Sequence, residues 1–389
     1  MRIVHVEDRF HPGMGYQINY MARYHQREHE FIILTSDSVS IWDNLTKEKL
    51  ASQDNAFEQE NNVKIIRLPA CMAKGQKSNI WIKGMTKKLK ELNADAIFAH
   101  CVENYSTIRI ILRFAGSDTL IATDTHTLKN QFHGGLKEKI YFALHKKLVI
   151  NKINKYNTKT FYTASENKLI LEEVYGIDNR LIYPCPIGTD FNIFRYNDEA
   201  GHNLRKSHSI SDDDIILLYT GKINYRKQPH LILEAVKQIE GKIEQPLVLF
   251  FVGHKEKAYY TQKFKPSFKN SLIRVVEIDS VPNDALYKYY SMADFAVFPK
   301  ENTLSELDAQ ACKLPLIMQN DMTNRERLEK GGLLYEKDNT VDLGHKILSM
   351  VVDKSKRKSL AEDGFSYVEE NFNYKNIIKK TEDTLLGSS

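Results

Sequence analysis

The chain has 389 residues, 42% hydrophobic, 27% charged and 10% aromatic, which excludes a disordered, collagenous or coiled-coil protein and predicts two globular domains. No apolar run approaches the roughly 18 residues of a membrane span, and Glu7 and Asp8 interrupt the first apolar run too early for a signal peptide, so a cytoplasmic protein is expected. The net charge of +5 is lopsided: residues 1–195 hold 27 Lys and Arg against 21 Asp and Glu, the remainder 28 against 29, which directs the first half toward an anionic partner without requiring nucleic acid.

The opening reads as a strand (MRIVHVE), a glycine-containing loop (HPGMGYQ), a helix (INYMARYHQREH) and a second strand (EFIILTSD). Buried strands are predicted at VKIIRLP, DAIFAH, TLIATDTH, KTFYTAS and RLIYPCP, separated by helical patterns such as NYSTIRIILRFAG and KEKIYFALHKKLVINKINKY. Apolar strands alternating with amphipathic helices indicate a parallel sheet covered on both faces. After the polar stretch NDEAGHNLRKSHSISDDD, the pattern restarts with DIILLYTGK, PHLILEAVKQIE, PLVLFFVGH, LIRVVEID, DALYKYYSMA, DFAVFP, ELDAQACKL and PLIMQ, and it ends on the helix NYKNIIKKTEDTLL. The expected fold is α/β, two Rossmann-like domains in tandem, divided as 1–193, 194–372 and a C-terminal helix and tail, 373–389, that returns to the first domain.

In open parallel sheets ligands bind beyond the carboxyl ends of the strands. After DIILLYT comes GKINYRKQP, where Gly221 permits a tight turn and Lys222 and Lys227 set two cations before a helix start, a combination suited to a diphosphate. After DFAVFP, Glu301, Thr303 and Ser305 precede a helix bearing Asp308, which is suited to a vicinal diol such as ribose; read blandly, Thr303 is an N-cap and Glu301 a surface acid. In the first domain His100 and His126 stand at consecutive strand ends. The four cysteines (Cys71, Cys101, Cys185, Cys312) form no CxxC pair, and the scattered His and Asp residues show no metal-ligand spacing, so neither a disulfide framework nor a metal site is expected.

These segments resemble the retaining family-4 glycosyltransferases. GKINYRKQPHLILEA is similar to that family's GR, KG and EA run, and FFVGH, IDSVP, YKYYSMADFAVFPK and LDAQACKLPLI follow in the family's order. Upstream, FYTASENKLILEEVYGIDNRLIYPCPIGTDFNIF resembles the passage between the family's domains, and PGMGYQINYMARY its opening glycine-rich loop, with Gly15 in it. The chain departs from the pattern at four places: Glu301 and Asp308 stand one residue closer than the family's acidic pair and Asp replaces its second Glu, Lys222 replaces Arg, Gln228 replaces Gly, and Asp279 stands where Gly is usual.

The resemblance implies a GT-B fold, two facing Rossmann-like domains with the active site between them, and a metal-independent, retaining hexosyltransferase that uses a nucleotide sugar, expected to be UDP-linked, as substrate with no cofactor. It implies that Lys222 and Lys227 neutralise the donor diphosphate, that amides near Thr303, Leu304 and Ser305 bind its distal phosphate, that Glu301 contacts the sugar and Asp308 the ribose. It places His126 near the reacting sugar, with His100 and Gly15 on the acceptor side. The expected acceptor is a glycan or a lipid-linked molecule of cell-surface polysaccharide or glycoconjugate synthesis. Residues 81–90 and 136–155, which pair lysines with apolar and aromatic side chains, read either as amphipathic helices with solvated lysines or as a face for an anionic membrane on the inner side of the cell membrane. The alternative is a GT-B subunit that binds nucleotide or a partner without catalysis. A dinucleotide oxidoreductase is disfavoured because HPGMGYQ is not GxGxxG.

Overall fold

The computed structural model describes residues 1–38, 46–71, 80–127, 135–268, 273–300 and 303–387. They form two compact units, Met1–Ile187 together with Tyr374–Ser389, and Gly188–Asn373.

The first unit is built on seven parallel strands: β1 Arg2–Glu7, β2 Glu30–Ser36, β3 Lys64–Leu68, β6 Ala96–Ala99, β7 Leu120–Thr125, β8 Lys159–Tyr162 and β9 Ile182–Pro184, in the order β3-β2-β1-β6-β7-β8-β9. A short antiparallel pair, β4 Ala70–Cys71 and β5 Trp81–Ile82, stands apart from the sheet. The central strands are apolar on both faces because helices cover both, so Ile3, Val4, Ile32, Ile33, Ile97 and Phe98 are all buried.

In the second unit, six parallel strands, β10 Ile215–Thr220, β11 Leu247–Val252, β12 Arg274–Ile278, β13 Phe295–Phe298, β14 Leu316–Gln319 and β15 Gly332–Tyr335, run in the order β12-β11-β10-β13-β14-β15. This is the Rossmann order in which the chain steps outward in one direction, returns to the centre and continues in the other. The reversal leaves a crevice at the carboxyl ends of β10 and β13, and in the first sheet at those of β1 and β6.

The expected division after residue 193 is corrected to one after Ile187. The polar stretch before β10 contains a helix, Asp198–Ser207: Asn197 caps it by accepting from the Ala200 amide at 2.9 Å, and acids and bases stand at its first and last turns. Arg205 fixes it by pairing with Asp294 at 2.8 Å.

The last helix, Tyr374–Leu386, belongs to the first unit. There Tyr374 stacks on Tyr20 at 4.2 Å, Glu382 accepts from the Gln26 amide at 2.8 Å, and Ile377, Ile378 and Leu385 join the cluster around Phe31 and Ile33. Burying three such side chains, at about 1.5–3 kcal/mol each, explains why the chain crosses back.

Candidate functional site

Glycine geometry shapes the carboxyl edge of the second sheet. Gly221 ends β10 at φ +138°, and Gly253 ends β11 at φ +150°. A Cβ on Gly253 would lie 2.0 Å from the Gly221 carbonyl oxygen, so the two strand ends approach as only glycine allows. The following turn carries Lys222, exposed, and Lys227, half-buried. It is folded by Asn224, whose Oδ1 accepts from the Lys227 amide at 3.0 Å, while Tyr219 donates to the Lys222 carbonyl at 2.8 Å. Gln228, which replaces the family's glycine, sits at φ +47°, a left-handed conformation that a residue with a Cβ occupies at a cost.

Across the switch point, the turn after β13 leads into the helix Ser305–Ala311. Glu301 lies outside the described residues. Thr303, Leu304 and Ser305 are brought to this helix start as expected, but their amides are partly committed. Thr303 donates its N–H to Glu306 Oε1 at 2.8 Å, and the Ser305 amide faces Thr303 Oγ1 at 3.4 Å. The turn is therefore capped internally, with the Thr303 amide already donating to Glu306.

Glu306 itself is buried. Its Oε2 pairs with Arg327 at 3.0 Å, and Arg327 also donates to the Thr303 carbonyl at 3.2 Å. Desolvation raises the Glu306 pKa, against the opposing pull of Arg327, the Thr303 amide and Lys227. Lys227 is thus near enough to the Thr303–Asp308 turn for its charge to act on Glu306. Glu306 was not singled out from the sequence, although the Thr-x-x-Glu spacing of 303–306 is a capping-box signal.

Asp308 is 5% exposed. Its Oδ1 accepts from Thr189 Oγ1 at 2.6 Å, so it fastens the Gly188–Asp190 turn, and only its second oxygen remains for the expected ribose contact. Burial pushes its pKa up to about 8, with Asp190 adding to the rise and the Thr189 hydrogen bond opposing it. An unfolded Asp loses its proton near 4, so folding retains a proton between about pH 4 and 8 and stability falls as pH rises through that window. Asp308→Asn keeps an acceptor for Thr189 and needs no proton. Its unfolding temperature is expected to exceed that of the wild type by a margin that grows from pH 4 to pH 8; a constant margin across that range would show that Asp308 is already ionised.

At the carboxyl edge of the first sheet, β6 and β7 bring together residues that are distant in sequence. Asp124 is buried at the end of β7; its Oδ2 accepts from His100 Nδ1 at 2.7 Å and its Oδ1 from the Cys101 amide at 2.6 Å. His100 in turn meets His5 across the sheet, ring nitrogen to ring nitrogen at 3.1 Å. Burial, with His100 beside it, drives the His5 pKa well below the ordinary value and keeps that ring neutral.

His126 lies 3.7 Å from Asp124 Oδ2, and its side chain is 37% exposed. Desolvation opposes its protonation, yet Asp124 first, then Glu7 and Glu103, outweigh it and raise its pKa. Burial likewise works to raise the Asp124 pKa, but His100 and His126 overturn it and hold the carboxyl well below the usual range. Glu103, which sequence reasoning missed, collects three hydroxyl donors on one oxygen: Thr125 at 2.6 Å, Thr127 at 2.8 Å and Tyr175 at 2.9 Å. Gly15 sits at φ +57° in a loop pinned by Asn19, which donates to the carbonyls of His11 and Pro12 at 3.0 Å.

The structure separates the two basic segments. In residues 81–90, Met85 and Leu89 are buried in the first unit's core, Trp81 is covered by the Arg109 guanidinium at 4.0 Å, and Lys83, Lys87 and Lys90 are exposed, so the apolar side chains of this segment are largely spent on packing. Residues 136–155 differ. Leu136, Ile140, Leu144 and Leu148, four apart along the helix, are 76%, 53%, 54% and 50% exposed, beside exposed Lys139, Lys146, Lys147 and Lys155. Among the described residues no helix is long and apolar enough to cross a membrane.

Residues 202–366 match the family model of Glycosyl transferases group 1, a stretch that contains the lysine loop and the Thr303–Asp308 turn. The chain is 26% identical over 165 residues to the D-inositol 3-phosphate glycosyltransferase of Geodermatophilus obscurus, 40% of this chain and 36% of that one. It is 23% identical over 208 residues to the lipopolysaccharide 1,2-N-acetylglucosaminetransferase of Salmonella typhimurium, 49% of this chain and 53% of that one. The chain thus spans about a third to a half of the length of these curated relatives. Among solved structures, Anabaena Alr3699/HepE in complex with UDP superposes with a TM-score of 0.73 at 13% identity, covering 100% of both chains. The fold is that of the GT-B glycosyltransferases.

Proposed function

We propose that the protein is a metal-independent, retaining glycosyltransferase that moves a sugar from a UDP-linked donor to a glycan or lipid-linked acceptor. The observation that carries this reading is the coincidence, inside the stretch that matches glycosyl transferases group 1, of the Gly221–Lys227 loop and the Thr303–Asp308 helix start at one switch point. Transfer requires the charge growing on the departing nucleotide diphosphate to be stabilised while the sugar gains oxocarbenium character. Lys222 and Lys227 supply two positive charges where the diphosphate is to lie, and Glu301 is assigned to the sugar hydroxyls. In the first unit His126, held toward its charged form by Asp124, is assigned as a hydrogen-bond donor to the reacting sugar, the proton of the acceptor hydroxyl leaving on the departing diphosphate, and His100 and Gly15 shape the same edge.

The acceptor class follows from the helix at 136–155, whose exposed apolar stripe and flanking lysines match an anionic membrane surface. In this reading the protein works at the inner face of the membrane in the synthesis of cell-surface glycans. A second reading, a nucleotide-binding subunit without catalysis, is favoured only by the inward turn of Asp308.

A thermal-shift screen separates the donor classes, because a ligand bound only by the folded chain stabilises it by RT ln(1 + [L]/Kd). UDP and UDP-sugars are expected to raise the unfolding temperature more than ADP, GDP or their sugars. A larger rise with GDP would reassign the base, and no rise with any of them would remove the donor assignment.

A further inference from the structure

The edge of the first sheet sets a cysteine that glycosyl transfer does not call for beside Asp124 and His126. Cys101 Sγ, an Asp124 carboxylate oxygen and a His126 ring nitrogen all lie within 4.8 Å of one another. The sheet order creates this set: β6 and β7 are neighbours in register, so the residue just past one strand meets the carboxylate and histidine at the end of the other.

Three features give the set the character of a metal site. Its ligands are of the right chemistry, since thiolate, imidazole and carboxylate together favour borderline cations such as Zn²⁺ or Co²⁺ over Mg²⁺. Its backbone is built for the purpose: Cys101 stands at φ +62°, an uncommon conformation for cysteine, and Asp124 holds it there through the Cys101 amide at 2.6 Å. An outer shell is present as well, because His100 donates to Asp124 at 2.7 Å and is itself backed by His5 at 3.1 Å, the arrangement that orients and sharpens a ligating carboxylate.

A carboxylate has about four lone-pair positions, so Asp124 keeps about two after serving His100 and Cys101, one of which can take a cation. Glu7 and Glu103, which act electrostatically on both Cys101 and His126, add negative charge around the set. Half-exposed His126 gives an ion access from solvent and leaves the remaining position open.

We propose that Cys101, Asp124 and His126 form a three-ligand site for a zinc-like divalent cation, with a fourth position open to water. Binding takes the thiol proton from Cys101 and engages the ring nitrogen of His126 that faces Asp124. If the transfer reading is right, the ion removes His126 from catalysis, so zinc inhibits the enzyme; the binding itself does not depend on that reading.

The test is titration of the full-length, metal-free protein with Co²⁺, read by the near-ultraviolet charge-transfer band of a cobalt–thiolate bond, and with Zn²⁺ against a chromophoric chelator. One cobalt per chain is expected to give the band. Cys101→Ser is expected to abolish it and Cys71→Ser, at an exposed cysteine, to leave it intact. His126→Ala, a half-exposed position where folding is not at stake, is expected to weaken Zn²⁺ binding, and His100→Ala to weaken it by about 10–100-fold, the scale of losing an outer-shell partner. Failure of wild-type protein to bind either ion, persistence of the band in Cys101→Ser, or unchanged affinity in His126→Ala overturns the site. Where a transfer assay is in hand, zinc is expected to inhibit wild type and not Cys101→Ser. Metal binding without inhibition would keep the site and remove His126 from catalysis.

Discussion

Replacing Lys227 by Ala is expected to lower glycosyl transfer by at least ~100-fold, the scale of removing one strong transition-state electrostatic contact. Lys227 lies in the loop after β10, its amide fixed by Asn224 and its charge felt by buried Glu306. In the proposed reading the substitution removes a cation from the diphosphate, and it also removes a charge that acts on Glu306. Its side chain is not part of the buried core, so the unfolding temperature should stay close to that of wild type while turnover collapses. Near-normal turnover in Lys227→Ala would show that the diphosphate lies elsewhere.

The second large effect is expected at the membrane. Full-length protein should co-sediment with vesicles rich in anionic lipid, and the quadruple replacement of Lys146, Lys147, Lys152 and Lys155 by Glu should abolish it. Each cation near an anionic leaflet contributes around 1 kcal/mol, and reversal turns four attractions into four repulsions. Raising ionic strength from ~0.05 to ~0.5 M should weaken wild-type binding, because the screening length shrinks from above 10 Å to a few ångströms. Leu144→Ser with Leu148→Ser should weaken it at all salt concentrations, since those side chains are about half exposed and supply the apolar part. UDP-induced stabilisation should survive in both variants. Equal sedimentation with neutral and anionic vesicles, or none with either, would return the helix to a solvated surface and favour a soluble acceptor.

Much of the architecture was legible because parallel strands covered on both faces read as continuous apolar runs. All seven strands of the first sheet and five of the six in the second stand where such runs occur. β15 was missed because it is an edge strand whose first three residues are only half-buried and it opens with Gly332, where a Cβ would lie 2.0 Å from the Leu316 carbonyl oxygen. Its role is tertiary: Tyr335 donates to the Pro299 carbonyl and so steadies the turn after β13. The helix Lys47–Asn61 was missed for a different reason, since it buries two polar side chains, Asp54 and Asn61, along with Leu50 and Phe57, and shows no apolar period. Asp54 is there because Arg67 needs it, the two pairing at 2.6 Å.

The site was legible as loops but not as partners. Spacing located the lysine loop and the Thr303–Asp308 turn, because both sit in single stretches of chain. It could not show that Arg327 holds Glu306, that Thr189 occupies Asp308, or that Cys101 meets His126, because each of these pairs is made by packing between distant segments. The family-level substitutions carried physical content all the same: Gln228 stands where glycine is usual, and its backbone has the positive φ that glycine would adopt freely.

The most direct test of the central claim is release of UDP from a panel of UDP-sugars by the full-length protein in excess EDTA, with and without anionic vesicles carrying lipid-linked acceptors. Turnover of one UDP-sugar is expected, unchanged by EDTA and stimulated by acceptor. Activity that EDTA abolishes and magnesium or manganese restores, or no turnover of any UDP-sugar despite stabilisation by UDP, would contradict it.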